Sequence, residues 1–210
     1  MGFQYWFPPL SSQSFELSQP ANDEAFETEL YHRMMLCMRA SEPVEILCAD
    51  ASRLSPAAFD VFLNPKFELL CSGVIALRFR HFTAANAQTF APLVEKLQGL
   101  KSLELLDGFT LHPDSVTVLS GLPALAELAV DDLHSSSDSP RMTTIAHLGS
   151  LKALERFAVP RCFLLEREID AVIQAGNLIE LAVANAYDED GQRAIQDKHE
   201  GCTIEWGYMV

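Results

Sequence analysis

Cysteine, histidine and clustered carboxylates are the side chains that could do chemistry in this chain, and their spacing argues against most of it. Cys162 would serve as a nucleophile only with a histidine in reach to take its proton, and no histidine lies near it in sequence. The six histidines (His32, His81, His112, His134, His147 and His199) show no metal-ligand spacing. The run Asp188–Glu189–Asp190–Gly191 resembles part of a calcium loop. Ala186, however, takes the first ligand position, and Asp197 takes the twelfth, where a bidentate glutamate belongs. Glu104 and Glu127 are carboxylates of the kind an acid–base pair needs, but no spacing ties them to one site. Phosphate cradles (GxxxxGK(S/T)), dinucleotide fingerprints (GxGxxG), nucleophile elbows (GxSxG) and HExxH helices do not occur. The pattern predicts no catalytic residue, no cofactor and no metal, hence a protein that works by binding.

The elements that carry these residues follow from an internal repeat. Val74, Leu77 and Phe79 have the same spacing as Leu100, Leu103 and Leu105. The triplets Leu125–Leu128–Val130, Leu154–Phe157–Val159 and Leu178–Leu181–Val183 continue the series, and Ile204 with Trp206 ends it. Ile46 with Cys48 is an earlier, weaker copy. The middle residues fall at 77, 103, 128, 157, 181 and 204, at intervals of 23 to 29, which suit one strand plus one helical return. The returns carry helical stripes: Phe90, Leu93, Val94 and Leu97, then Leu165, Ile169, Val172 and Ile173 with Gly176 as a stop. Pro92 should break or kink the first of these. Ser55–Pro56, His112–Pro113 and Ser139–Pro140 read as helix starts, and Asp188 to Gly191 as an acidic helix opening.

The repeat resembles the leucine-rich-repeat family, whose unit opens LxxLxLxx(N/C)xL. Leu100, Leu103, Leu105 and Leu111 take its apolar positions, with Gly108 where asparagine or cysteine is usual. Cys162 fills that slot as the family prefers, whereas Phe82, Leu133 and Ala186 do not, so the family's asparagine ladder is missing. The resemblance implies an α/β solenoid of the ribonuclease-inhibitor type, with a curved parallel sheet on its concave side and helices on its convex side. It spans residues 44–210 as one continuous domain. Residues 1–43 fall outside the repeat and are expected to form an N-terminal cap. A helix from about Asp23 to Arg39 would turn Phe26, Leu30, Met34 and Cys37 inward, and Phe3, Tyr5, Trp6 and Phe7 would add to the cover. The other reading of that aromatic run is a segment that docks into a partner. Leu133 to Arg141, with its four serines, is expected to project as a loop.

Alternation along each strand places the residues between the repeat leucines on the face away from the helices. Arg78, Arg80 and His81 come from one strand, Glu104 and Asp107 from the next, then Glu127, Asp131 and Asp132. Arg156 and Arg161 follow, then Glu180 and Asn185, and last Glu205 and Tyr208. Cross-strand pairing accounts for Glu127 with Arg156 and Glu180, and for Asp132 with Arg161. The acidic centre of Glu104, Asp107, Glu127, Asp131 and Asp132 is expected to receive a partner. Ala129, Ala158, Ala182 and Ala184 keep part of this face low, so bulky side chains could approach it.

Composition narrows the partner. Acidic residues outnumber basic ones 29 to 15, which repels nucleic acid and attracts a basic protein surface. No apolar run approaches a membrane span, the N-terminus lacks the form of a secretory signal, and Trp6 stands where a myristoylation signal needs serine or threonine. Five scattered cysteines without a CxxC pair suit a reducing compartment, so the cytoplasm is expected. A monomer is expected rather than a homo-oligomer. The function expected is a protein-binding module such as a stoichiometric inhibitor, for example a bacterial immunity protein that occludes a toxin. The alternatives are a secreted effector or recruiting adaptor, which would use the first 20 residues to dock, and an enzyme with a site built from concave carboxylates.

Overall fold

The computed structural model describes residues 7, 14–17, 19–135 and 141–207. Eight strands form one parallel sheet whose order equals chain order. They are β1 (Ser14–Leu17), β2 (Val44–Cys48), β3 (Val74–Arg80), β4 (Ser102–Leu111), β5 (Glu127–Leu133), β6 (Arg156–Val159), β7 (Glu180–Ala184) and β8 (Thr203–Gly207). A helix lies in every connection: α1 (Asp23–Ala40), α2 (Glu68–Cys71), α3 (Ala91–Lys96), α4 (Pro113–Leu119), α5 (Arg141–Leu148), α6 (Glu166–Ala175) and α7 (Glu189–Lys198). Among the described residues no helix is long and apolar enough to cross a membrane.

The six repeat markers lie in one rung. Leu77, Leu103, Leu128, Phe157, Leu181 and Ile204 are successive register partners, and Phe15 and Ile46 extend the rung to β1 and β2. Those side chains share one buried cluster with Phe26 and Leu30 of α1, Leu93 of α3, Val116 of α4, Ile145 of α5, Ile169 of α6 and Ile195 of α7. The helices therefore pack on the marker side of the sheet, where a period of two along the strands meets a period near 3.6 along the helices. The opposite face has no described helix on it.

Local chemistry fixes the helix ends. Asn22 accepts from the Ala25 amide at 2.9 Å and starts α1, which turns Phe26, Leu30, Met34 and Cys37 into the core as the sequence predicts. Asp188 does the same for α7 through the Gly191 amide at 2.8 Å. Pro92 departs from its expected role. A 3-10 turn at Ala87–Phe90 comes first, and Pro92 falls in the opening turn of α3, where a missing amide hydrogen costs nothing. The stripe Phe90, Leu93 and Leu97 is buried all the same, split between two short pieces.

The N-terminal segment departs further. Residues 1–43 were expected to stand outside the sheet, yet Ser14–Leu17 pairs with β2, so the strand–helix–strand pattern begins before residue 44. Four residues carry too short an alternation to show the repeat. The loop expected at Leu133–Arg141 lies partly outside the described residues, as do Ser139–Pro140 and Phe3, Tyr5 and Trp6.

Main-chain bonds link the turns that follow successive strands. The Arg161 amide donates to the Asp131 carbonyl at 3.2 Å, and the His134 amide to the Leu111 carbonyl at 2.9 Å.

Candidate protein-binding face

Alternation puts Glu45, Arg78, Glu104, Ala129, Ala158, Ala182 and Glu205 on the helix-free face, and all but Glu45 share one rung. The neighbouring rung runs Glu45, Ala76, Ser102, Glu127, Arg156, Glu180 and Thr203. Arginines and carboxylates thus meet on adjacent strands, and they are tied into three groups.

Arg78 and Glu104 form the first, with Nε 3.9 Å from Oε2 and both side chains at most 1 % exposed. Arg156 holds the second: its Nη1 is 2.5 Å from Glu127 and its Nε 3.4 Å from Glu180. Burial, followed by the charge of Glu205, raises the Glu180 carboxyl above the usual range, while Arg156 pulls the other way. The third group centres on Asp107, which meets Arg80 at 3.1 Å and Arg161 at 2.8 Å, while Arg161 also reaches Asp131 at 3.4 Å.

A kink in β4 builds that third group. Leu105 partners Val130 and Thr110 partners Asp132, so four residues, 106–109, stand opposite the single Asp131. Asp107 at φ 65° and Gly108 at φ 126° turn the chain there, and the Gly108 amide donates to the Asp131 carboxylate. A Cβ at Gly108 would lie 2.6 Å from Thr83 Cγ2, and its φ lies where L side chains are strained, which explains the glycine here.

Alternation along β5 turns Asp131 to the helix-free face and Asp132 to the helix side. The expected pair of Asp132 with Arg161 does not form; Asp131 takes the arginine instead. Asp132 caps the Leu133 amide at 2.8 Å and stands beside Cys162 on the other side of the strand. Asn185 likewise leaves the face, accepting from the Tyr187 amide and from Gln192, each at 3.0 Å, to shape the turn before α7. Tyr208 lies outside the described residues. Arg78, Arg80, Glu104, Asp107, Glu127, Asp131, Arg156, Arg161 and Glu180 are brought together. Four of the five carboxylates of the expected acidic centre (Glu104, Asp107, Glu127 and Asp131) are paired with arginines from other strands, Glu127 with Arg156 as expected, which shrinks the acidic centre.

Phe7 is the residue sequence reasoning put elsewhere. It lies on the helix-free face, 2 % exposed, in a cluster of its own with Leu106, Ala129, Ala158 and Ala182. Its amide donates to Glu104 Oε2 at 3.4 Å, and its carbonyl accepts from Arg78 Nη1. The expectation of an end cover thus fails for Phe7: the contact is with the face that was expected to meet a partner. The accessible side chains of this face are toward the C-terminal strands, at Arg156, Arg161, Thr203 and Glu205.

The cysteines contribute chemistry of a different sort. All five are free and buried. Burial pushes the Cys48 thiol up to about 12, and burial together with the Asp132 hydrogen bond pushes Cys162 up to about 12. In the unfolded chain these thiols ionise near 9, so between pH 9 and 12 the unfolded state releases protons that the folded state keeps. Folding stability should therefore fall as pH rises above 9, and Cys202, which burial pushes up to about 11, adds to the decline. Guanidinium titrations at pH 8, 9 and 10 will read this, and Cys48→Ala with Cys162→Ala should flatten the decline. The same burial means that native Cys162 makes a poor nucleophile at neutral pH.

Compared with protein-family models and with curated proteins, the chain matches neither a family model nor a curated sequence.

Proposed function

We propose that this chain is a non-catalytic protein-binding module of the leucine-rich-repeat type, and that it docks its partner on the helix-free face of the sheet. The observation that carries this reading is the pairing pattern of that face. Arg156 and Arg161 are partly exposed and held in fixed groups by carboxylates from neighbouring strands, with no described helix over them. Preorganised side chains on strands lose little freedom on association, so a docked surface gains affinity without ordering costs.

Within this class the best fit is a stoichiometric inhibitor acting by occlusion, of which a bacterial immunity protein is the model case. The partner is another protein, and the excess of 29 acidic over 15 basic residues favours one with a basic surface. A monomer in the cytoplasm suits five free buried thiols and edge strands that carry Glu16 and Glu205 on their exposed side, since charged edges discourage strand pairing between copies. The adaptor or effector alternative needs a recruiting segment separate from the docking face, whereas Phe7 lies on that same face. An enzyme built on Glu104 and Glu127 is disfavoured because each carboxylate is engaged by its own arginine.

Affinity capture from native extract with the full chain, followed by native mass spectrometry, tests this reading. A one-to-one complex in which the captured protein loses its own activity is expected. A captured protein that keeps full activity, or that the chain converts chemically, would refute the inhibitor reading.

A further inference from the structure

We infer that the helix-free face holds a recognition site for a peptide segment bearing an aromatic side chain, and that Phe7 fills this site as the chain's own ligand. The inference rests on the reading of that face as the docking surface, and adds what it recognises.

The site has two parts. Arg78 and Glu104 grip the main chain, one taking the carbonyl and the other the amide of the same residue. Every residue except proline offers that pair of groups, so this grip leaves the side chain to be read separately. The second part reads the side chain. Ala129, Ala158 and Ala182 follow Glu104 along one rung, and with Leu106 they make an apolar floor on which the Phe7 ring lies. Strands about 4.8 Å apart give three alanines the span of an aromatic ring, and larger side chains there would fill the space.

A second observation points to a longer ligand. Ser102 and Glu127 lie on the same face, one rung from Glu104 and Ala129, and are 0 % and 3 % exposed. Ser102 Oγ and Glu127 Oε2 have no hydrogen-bond partner among the described residues. Buried oxygens without partners are costly, and a peptide ligand's amides placed beside Phe7's position would supply donors to them.

Phe7 also differs from the rest of the core in how it is held. Phe15 and Leu17 are fixed by ladder bonds to β2 and by the helix-side cluster. Phe7 belongs to neither, and its cluster of five shares no member with the helix-side core. It can leave while that core stays intact, which is what a resident ligand must do. A tethered occupant competes at high local concentration, so a partner's segment binds only in proportion to the fraction of chains whose site is empty.

The test uses the full chain and a fluorescein-labelled peptide copying residues 1–13, read by fluorescence polarisation. Phe7→Ala in the full chain should bind the peptide at least about tenfold more tightly than the unsubstituted chain. Adding Ala158→Leu to that variant should abolish the binding, as should alanine for phenylalanine at position 7 of the peptide. Equal affinity of both chains, or no binding by the folded Phe7→Ala chain, would overturn the site. So would a Phe7→Ala chain that fails to fold, because Phe7 would then be core. Amide exchange in the unsubstituted chain gives a check free of mutation: Phe7 should exchange at least about tenfold faster than Leu103, by local release rather than global unfolding. Exchange of Phe7 only with global unfolding contradicts the proposal. A captured partner that still docks on this face while the peptide finds no place would sink this inference alone and leave the proposed function standing.

Discussion

Replacing Arg78 with alanine is expected to lower folding stability by about 3–5 kcal/mol, read as a shift in the guanidinium midpoint. The cause is what remains behind. Glu104 is 1 % exposed, and without the guanidinium its charge stays buried beside Ser102, Leu106 and Ala129. The Phe7 carbonyl loses its donor as well. The matching double substitution, Arg78→Met with Glu104→Leu, should recover most of the loss. It removes both charges at once and fills the space with apolar atoms, so no buried charge is stranded. A double variant as unstable as the single one would mean that the pair itself, rather than its breaking, supports the fold.

The second large effect belongs to the marker rung. Phe157→Ala should cost about 3–5 kcal/mol, because the ring fills the rung between Leu128 and Leu181 and is 1 % exposed. Parallel strands buried under helices cannot collapse easily into the void, so the cavity persists. Leu69→Ala is the control: Leu69 is 80 % exposed, and its truncation should change stability by no more than about 0.5 kcal/mol. If the two substitutions had equal effects, the rung would not be the core of the sheet. Equilibrium unfolding of both variants in one buffer decides the matter.

Much of this was legible in the sequence, for identifiable physical reasons. The repeat of Leu77, Leu103, Leu128, Phe157 and Leu181 shows because core burial demands an apolar side chain each time the chain returns to the sheet. The helix opening at Asp188 shows because its cap is a local bond between residues three apart. Alternation alone puts Arg78, Glu104, Glu127, Arg156 and Glu180 on one face of the sheet, but it does not reveal that Arg78, Glu104 and Glu127 are buried there. What was lost depended on contacts distant in sequence or on backbone angles. Asp132 is the opposite case: strict alternation from Leu128 and Val130 already turns it to the helix side, away from Arg161, whereas Asp107 reaches the helix-free face only because β4 turns at Asp107–Gly108. Gly108 was visible as a departure from the repeat; its positive φ gives that departure a cause. Strand β1 escaped notice since four residues hold no periodicity to speak of. Phe7 was the hardest, because its bond to Glu104 joins residues 97 apart. The alanines at 129, 158 and 182 were the available clue, since a low floor implies that something bulky lies on it.

The claim that the helix-free face is the working surface can be put to one measurement: the affinity of the captured partner for two charge variants of the full chain. Thr203→Arg with Glu205→Lys alters exposed positions of β8 on that face, and Ala146→Arg with Gln174→Arg alters exposed positions on the helices. The first pair should weaken binding at least about tenfold and the second less than about threefold. The reverse order, with the helix variant losing affinity and the sheet variant keeping it, would contradict the assignment of the face.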